Sequence, residues 1–263
     1  MSQQPKSLGF RLNLWMLKFA RNWLKVVMVI LGIYVTMPWV APTLAKLGLA
    51  GPANAIYTFY SPFCHQFAFR SIFLYGDQPF YPRGVADTNW KAFEEYAVNS
   101  EAFIEQYQYW YTFYGNGANP IPPSIDDLQE FSVAQQIAAR HFIGDETVGY
   151  KTTLCARDIA IYTMIFIGGL IYWKFRWRIR PVPFLLYIFI GLGPIGLDGF
   201  SQLLSYPPFN LWAIRETEPI FRLLTGGLFG LMNAWLAFPY IERSMQDTVE
   251  QLEIKFRQAG HDV

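Results

Sequence analysis

Cys64 and Cys155 are the only cysteines of the chain, and each sits in a short polar word beside an apolar run, FCHQFAFRS at 63–71 and LCARDIAIY at 154–162. Thiolate, imidazole and carboxylate are the donors that zinc and other transition metals favour. Cys64, His65, Cys155 and Asp198 therefore form a candidate ligand set, with His141 as a further donor. The adjacent Cys-His pair lacks zinc-finger spacing, so two other readings of the thiols stand beside this one. A pair facing an oxidising compartment can close a disulfide over a long loop, and buried thiols can also be inert packing. A dithiol oxidoreductase would show CxxC, which this sequence does not contain.

The charged residues near these words add acid–base and anion-binding chemistry. An ionised carboxylate within an apolar span has to be protonated, ion-paired or metal-bound. Asp198 and His65 are accordingly the catalytic candidates, and Arg70, Arg157, Asp158, Gln202 and Arg222 the ligand-binding ones. Taken singly, each charge also reads as a salt bridge that locks helix packing. Convergence of several such groups is what favours a site.

Composition identifies the elements that must hold these residues. The 263 residues are 52% hydrophobic and 16% charged, which is apolar-heavy for a water-soluble domain. A net charge of +1 gives no nucleic-acid signal. Apolar runs at 26–44, 159–173 with its flanks, 182–206 and 219–241 approach or exceed the ~20 helical residues that cross a bilayer. The segment 53–75 is interrupted by Ser61-Pro62, Cys64-His65-Gln66 and Arg70, which suits a re-entrant or interfacial helix.

Charge segregation orients the spans. Lys6, Arg11, Lys18, Arg21 and Lys25 precede the first run, and KFRWRIR at 174–180 follows the second, both without acidic residues. Between them, 76–150 carries eleven acids against Arg83, Lys91 and Arg140. The positive-inside rule then gives four spans, both termini cytoplasmic, and 76–150 as an extracytoplasmic insert. Residues 1–25 read as an amphipathic segment on the inner leaflet, and 242–263 as a cytoplasmic tail. In this topology Asp198 and Gln202 lie within about 12 Å of the outer end of the third span, at ~1.5 Å per helical residue. Cys64, His65, Arg70, Cys155, Arg157, Asp158 and Arg222 fall in the same leaflet.

Within the insert, apolar residues of the stretch Trp90 to Gln108 recur mostly at helical spacing, so one helix is expected there. A turn-rich break, GNGANPIPPS at 115–124, leads to a Ser124–Asp127 capping pair and a second helix to about Phe142. These helices are expected to form a cap on the outer surface, with packing of their aromatic faces on one another or on the lipid interface as the alternative, ahead of a substrate lid. Gly191, Gly193, Pro194, Gly196 and Gly199 make the third span a flexible or broken helix. GLGPIG at 191–196 fits GxGxxG but has no strand before it, so it is not a dinucleotide loop. Gly226 and Gly230 form a GxxxG face suited to a helix contact or a homodimer through the last span.

The ordered words CHQxxxRS, CARDxxIY, PIGLDGFSQ and RxxTGGLFG, at 60–75 and 150–235, resemble a family of prokaryotic multispanning membrane proteins known as a domain of unknown function. The resemblance implies a prokaryotic plasma membrane location. It points to Cys64, His65, Gln66, Arg70, Cys155, Arg157, Asp158, Asp198, Gly199, Gln202, Arg222, Thr225 and Gly226, and it implies no reaction. The 76–150 insert departs from the shorter family pattern.

The expected object is an all-α, four-span membrane bundle with a re-entrant or interfacial helix and an extracytoplasmic helical insert. Its outer-leaflet polar site would bind a transition metal such as zinc, or a polar head group. The alternative is a scaffold subunit of a membrane complex stapled by a Cys64–Cys155 disulfide. Its partners are the lipid bilayer and either a membrane-protein partner or a second copy, with no nucleic acid.

Overall fold

The computed structural model describes residues 8–115 and 122–261. Lys6 of the basic lead, positions 116–121 of the expected turn-rich break and the last two residues of the tail lie outside the described residues. In chain order the elements begin with α1 (Leu8–Lys46), α2 (Ala50–Tyr60), β1 (Ser71–Leu74), α3 (Phe93–Ala97), α4 (Glu101–Tyr114), α5 (Ile125–Gln129) and α6 (Val133–His141). There follow β2 (Gly144–Asp145), β3 (Gly149–Cys155), α7 (Ala156–Phe175), α8 (Phe184–Leu186), α9 (Gly193–Ser205) and α10 (Pro219–Gln258).

Among the described residues, four helices are long and apolar enough to cross a membrane: α1, α7, the joined run Phe184–Ser205, and α10. The joined run links α8 to α9 through a π-helical turn, Tyr187–Leu192. Pro194 lies in the first turn of α9. It lacks an N–H and its ring would crowd the carbonyl four residues back, and a wider turn just before it relieves both problems. The Gly/Pro-rich stretch therefore changes the hydrogen-bond ladder while the helical path stays continuous.

At 39 and 40 residues, α1 and α10 are each about 60 Å long, twice the ~30 Å hydrocarbon core. Residues 8–25 run without a break into the first span. They project alongside the end of α10, joined by an Arg21–Glu253 ion pair at 2.9 Å. Glu242 accepts from Trp23 Nε1 at 3.0 Å and Arg176 Nε at 2.8 Å. The basic lead and the KFRWRIR word thus meet α10 at one end of the bundle, and Cys64, Cys155 and Asp198 lie toward the other.

Helices α7 and α10 pack backbone to backbone. A β-carbon on Gly226 would lie 2.6 Å from the Arg157 carbonyl oxygen, and one on Gly230 2.2 Å from that of Ile161. The GxxxG face is filled by α7 of the same chain, so a homodimer through these two glycines is sterically closed.

The insert shares an aromatic core with the segment that precedes it, with Phe69, Phe73, Tyr81, Phe93, Phe103, Tyr107, Leu128 and Phe142 all buried. Each expected long helix is split in two by an internal cap. Ser100 Oγ accepts from the Phe103 amide to open α4, and Ser132 Oγ from the Gln135 amide to open α6. Ser caps a new helix better than it continues an old one. The Ser124–Asp127 capping box opens α5.

A three-stranded antiparallel sheet, ordered β1-β3-β2, adds a small β component that the helical reading of the sequence did not include. Its strands are too short for a clear two-residue period, and β3 is buried along most of its length, which removes alternation. Gly149, at φ +73°, lets the strands close: a β-carbon there would meet the Leu74 carbonyl oxygen at 2.2 Å. Ser71 pairs with Cys155, and Phe73 with Lys151. This register joins the CHQ word to the CARD word.

Candidate functional site

Cys64 follows α2 in the loop that leads to β1, and Cys155 ends β3 as the N-cap of α7. Pairing of β1 with β3 brings them together across 91 residues: the Cys155 amide donates to Cys64 Sγ at 3.2 Å. The Gln66 amide reaches the same sulfur at 3.4 Å, with Gln66 itself at φ 56°. Asp158 lies in the first turn of α7, one face along from Cys155, and its Oδ2 accepts from Cys155 Sγ at 3.1 Å. The ligand atoms of Cys64, Cys155 and Asp158 all lie within 4.8 Å of one another, so the group could hold a metal ion. Both cysteines are free thiols. Cys155 and burial push the Cys64 thiol up from its ordinary value.

His65 and Asp198 do not join this cluster. His65 is exposed, with its ring 5.3 Å from that of Phe67. The Cys64 side chain is buried while the next residue turns outward, as adjacent residues of an extended segment do. His141 stacks on Trp110 at 5.2 Å, at the end of α6. Asp158 stands in the place given by sequence to His65 and Asp198.

Asp198 instead anchors a buried network beside the thiols. Its carboxylate pairs with Arg157, and with Arg215 Nη2 at 2.9 Å, and Thr217 Oγ1 lies 2.9 Å from Oδ1. Gln202, one helical turn on, donates to Glu216 at 2.8 Å and accepts from Arg222 Nη2 at 3.0 Å. Glu216 is the hub of the second half. Arg70 grips it bidentately at 2.8 and 3.0 Å, Arg222 pairs with it, and the Tyr206 hydroxyl donates at 2.6 Å. Burial alone would raise the Glu216 carboxyl, but Arg70 and Arg222 outweigh burial and hold it at about 2. Burial pushes the Tyr206 phenol up to about 12, so it stays a donor. Arg83 extends the network, donating to the Tyr206 hydroxyl at 2.9 Å and lying 3.6 Å from Glu94.

The structure thus gathers Arg70, Arg157, Asp198, Gln202 and Arg222, and it gathers Cys64, Cys155 and Asp158. Arg157 joins Asp198 from the same helical turn as Asp158, so the two groups adjoin. Sequence reading gave Glu216, Thr217, Tyr206 and Lys151 no role. The signal for Glu216 was an acid six residues before Arg222, at the start of an apolar run. Lys151 gave no such signal. Wholly buried in β3, its ammonium donates to the carbonyls of Gln66, Ala139 and Arg140 at 2.6, 3.0 and 2.7 Å. Burial pushes it down to about 7, against three acceptors that favour the protonated form.

Four apolar helices of spanning length, with buried charges gathered toward one end, define a multi-span helical membrane protein. Comparison agrees with that class: a family described as "Predicted membrane protein (DUF2085)" has a model that matches residues 136–236. That stretch contains Cys155, Asp158, Asp198, Glu216 and Arg222, and excludes Cys64 and Arg70. The chain is also similar to the uncharacterized protein MJ1492 of Methanocaldococcus jannaschii, at 28% identity over 109 residues, which is 41% of this chain. The matched region spans 62% of the length of that curated relative. No solved structure matches.

Proposed function

We propose that this membrane protein binds a transition metal ion, zinc by its donor set, between Cys64, Cys155 and Asp158. The observation that carries this is the convergence of three ligand atoms within 4.8 Å from two separate sequence words. Two thiolates and a carboxylate suit zinc, and three protein ligands leave a fourth position for water or substrate, as in catalytic rather than structural zinc sites. When bound, the metal would supply Lewis-acid chemistry.

The arginine network would place the anionic or polar group of a lipid-like or quinone-like ligand beside the metal. Arg157, next to Asp158 in the chain, shares Asp198 with Arg215, while Arg70 and Arg222 hold Glu216. Asp198 is engaged by two arginines, so its role is positioning rather than proton abstraction. His65, exposed beside the cluster, is the remaining acid–base candidate. On the charge rule the site faces the outer leaflet of a prokaryotic plasma membrane, with both termini cytoplasmic and residues 76–150 outside.

The scaffold reading has its own support: the two sulfurs lie within 4.8 Å of each other, and the arginine–carboxylate network locks α7, α9 and α10. Elemental analysis of the purified protein, with thiol counting under native and denaturing conditions, separates the two. About one equivalent of metal, with thiols released on denaturation and chelation, is expected for the metal centre. Absence of both metal and free thiol would establish the stapled scaffold instead.

A further inference from the structure

A cavity lies at the opposite, basic end of the bundle. Helices α7 and α10 touch at Gly168 and Ala234, where a β-carbon on the glycine would sit 2.5 Å from that of Ala234. Beside this contact, with Tyr172 and Phe238 still stacked at 5.8 Å, the 176–183 loop closes a groove of about 660 Å³ along the two helices. That volume lies within the usual range of small-ligand sites, roughly 300–1,000 Å³. Its walls are apolar, from Ile171, Tyr172, Leu231 and Trp235. Its mouth carries Arg178 and Arg180, both exposed.

These two arginines differ from the rest of the basic word. Arg176 is taken by Glu242 at 2.8 Å, whereas neither Arg178 nor Arg180 has a carboxylate partner among the described residues. The sequence offers none nearby, since no acidic residue occurs between Asp158 and Asp198. The loop is held in place: Trp235 Nε1 donates to the Arg180 carbonyl at 2.9 Å, and Pro181 and Pro183 restrict the backbone. An apolar cleft facing the hydrocarbon, capped by two uncompensated guanidiniums and an indole at the membrane boundary, matches one ligand chemistry. We propose that this cleft binds an anionic phospholipid, with an acyl chain lying along α7 and α10 and the phosphate on Arg178 and Arg180.

The test is native mass spectrometry of the full chain in detergent, titrated with phosphatidylglycerol or with phosphatidylcholine of identical acyl chains. The wild type is expected to retain one phosphatidylglycerol in preference to phosphatidylcholine. An R178Q/R180Q variant should bind phosphatidylglycerol about thirtyfold more weakly, at roughly one contact's worth of attraction per arginine. Ile171→Trp, which fills the cleft, should weaken both lipids. K255Q/R257Q, which removes the same charge from the exposed end of α10, should change neither. Equal retention of the two lipids, an equal effect of K255Q/R257Q, or unchanged binding by R178Q/R180Q would overturn the proposal. So would a dimer that excludes lipid and is lost with Ile171→Trp, because a second copy would then be the occupant.

Discussion

Replacing Glu216 by glutamine tests the network at its hub. Arg70 and Arg222 lower this carboxyl from its ordinary 4.5 to about 2, which at roughly 1.4 kcal/mol per pH unit is about 3 kcal/mol of stabilisation at neutral pH. Glutamine also leaves two buried guanidiniums without their counter-charge, so the full loss should reach about 3–5 kcal/mol. For a chain of this size that lowers the melting temperature by about 8–15 °C. The sign with pH is fixed. A carboxyl depressed in the folded state contributes fully above its unfolded value, and the contribution fades as pH falls from about 4.5 to about 2. Thermal unfolding of wild type and Glu216→Gln in one detergent, from pH 7 to pH 2.5, should therefore show two curves that converge on the acid side. Arg222→Met should soften the effect of Glu216→Gln, because the double variant removes the orphaned charge as well as the acid. A shift below about 2 °C at pH 7, or a gap that stays constant down to pH 2.5, would refute the assignment of Glu216 as a charged hub.

Three further outcomes follow from other parts of the molecule. Asp158→Asn and Cys155→Ser should each lower zinc affinity by an order of magnitude or more, while His65→Ala leaves stoichiometry near wild type; equilibrium dialysis against zinc decides this. Gly230→Leu should separate α7 from α10 and destabilise by at least about 3 kcal/mol, since even a β-carbon there lies 2.2 Å from the Ile161 carbonyl oxygen; its thermal melt would show the loss, and an unchanged melt would contradict the packing. Lys151→Met should cost about 3 kcal/mol or more, because the stem volume is kept but the donor to three buried carbonyls is lost; equal stability of the two proteins would show those carbonyls to be hydrated.

The difference between legible and illegible features has a physical pattern. Spans were legible because ~20 residues of lipid-facing helix must be apolar throughout, whatever the neighbours. The insert's helices were legible in their periodicity but not in their breaks, since Ser100 and Ser132 can cap or continue a helix and only packing selects which. The sheet was hidden because β3 is a short buried strand and β2 has two residues.

Within the site, residue types were readable one by one, and their company was not. By itself the sequence determined that charges such as Asp198, Arg157 and Arg222 inside apolar runs need partners, because an isolated charge there is too costly to keep. Only the tertiary structure decided which partner each received. The Ser71–Cys155 register set Cys64 against Cys155, and the N-terminal turn of α7 then offered Asp158 to the thiols on one face and Arg157 to Asp198 on another. Residues three apart on a helix share a face while adjacent ones diverge, and strand register is fixed by distant chain. Those two geometric facts split one apparent cluster into a thiol–carboxylate group and an arginine network.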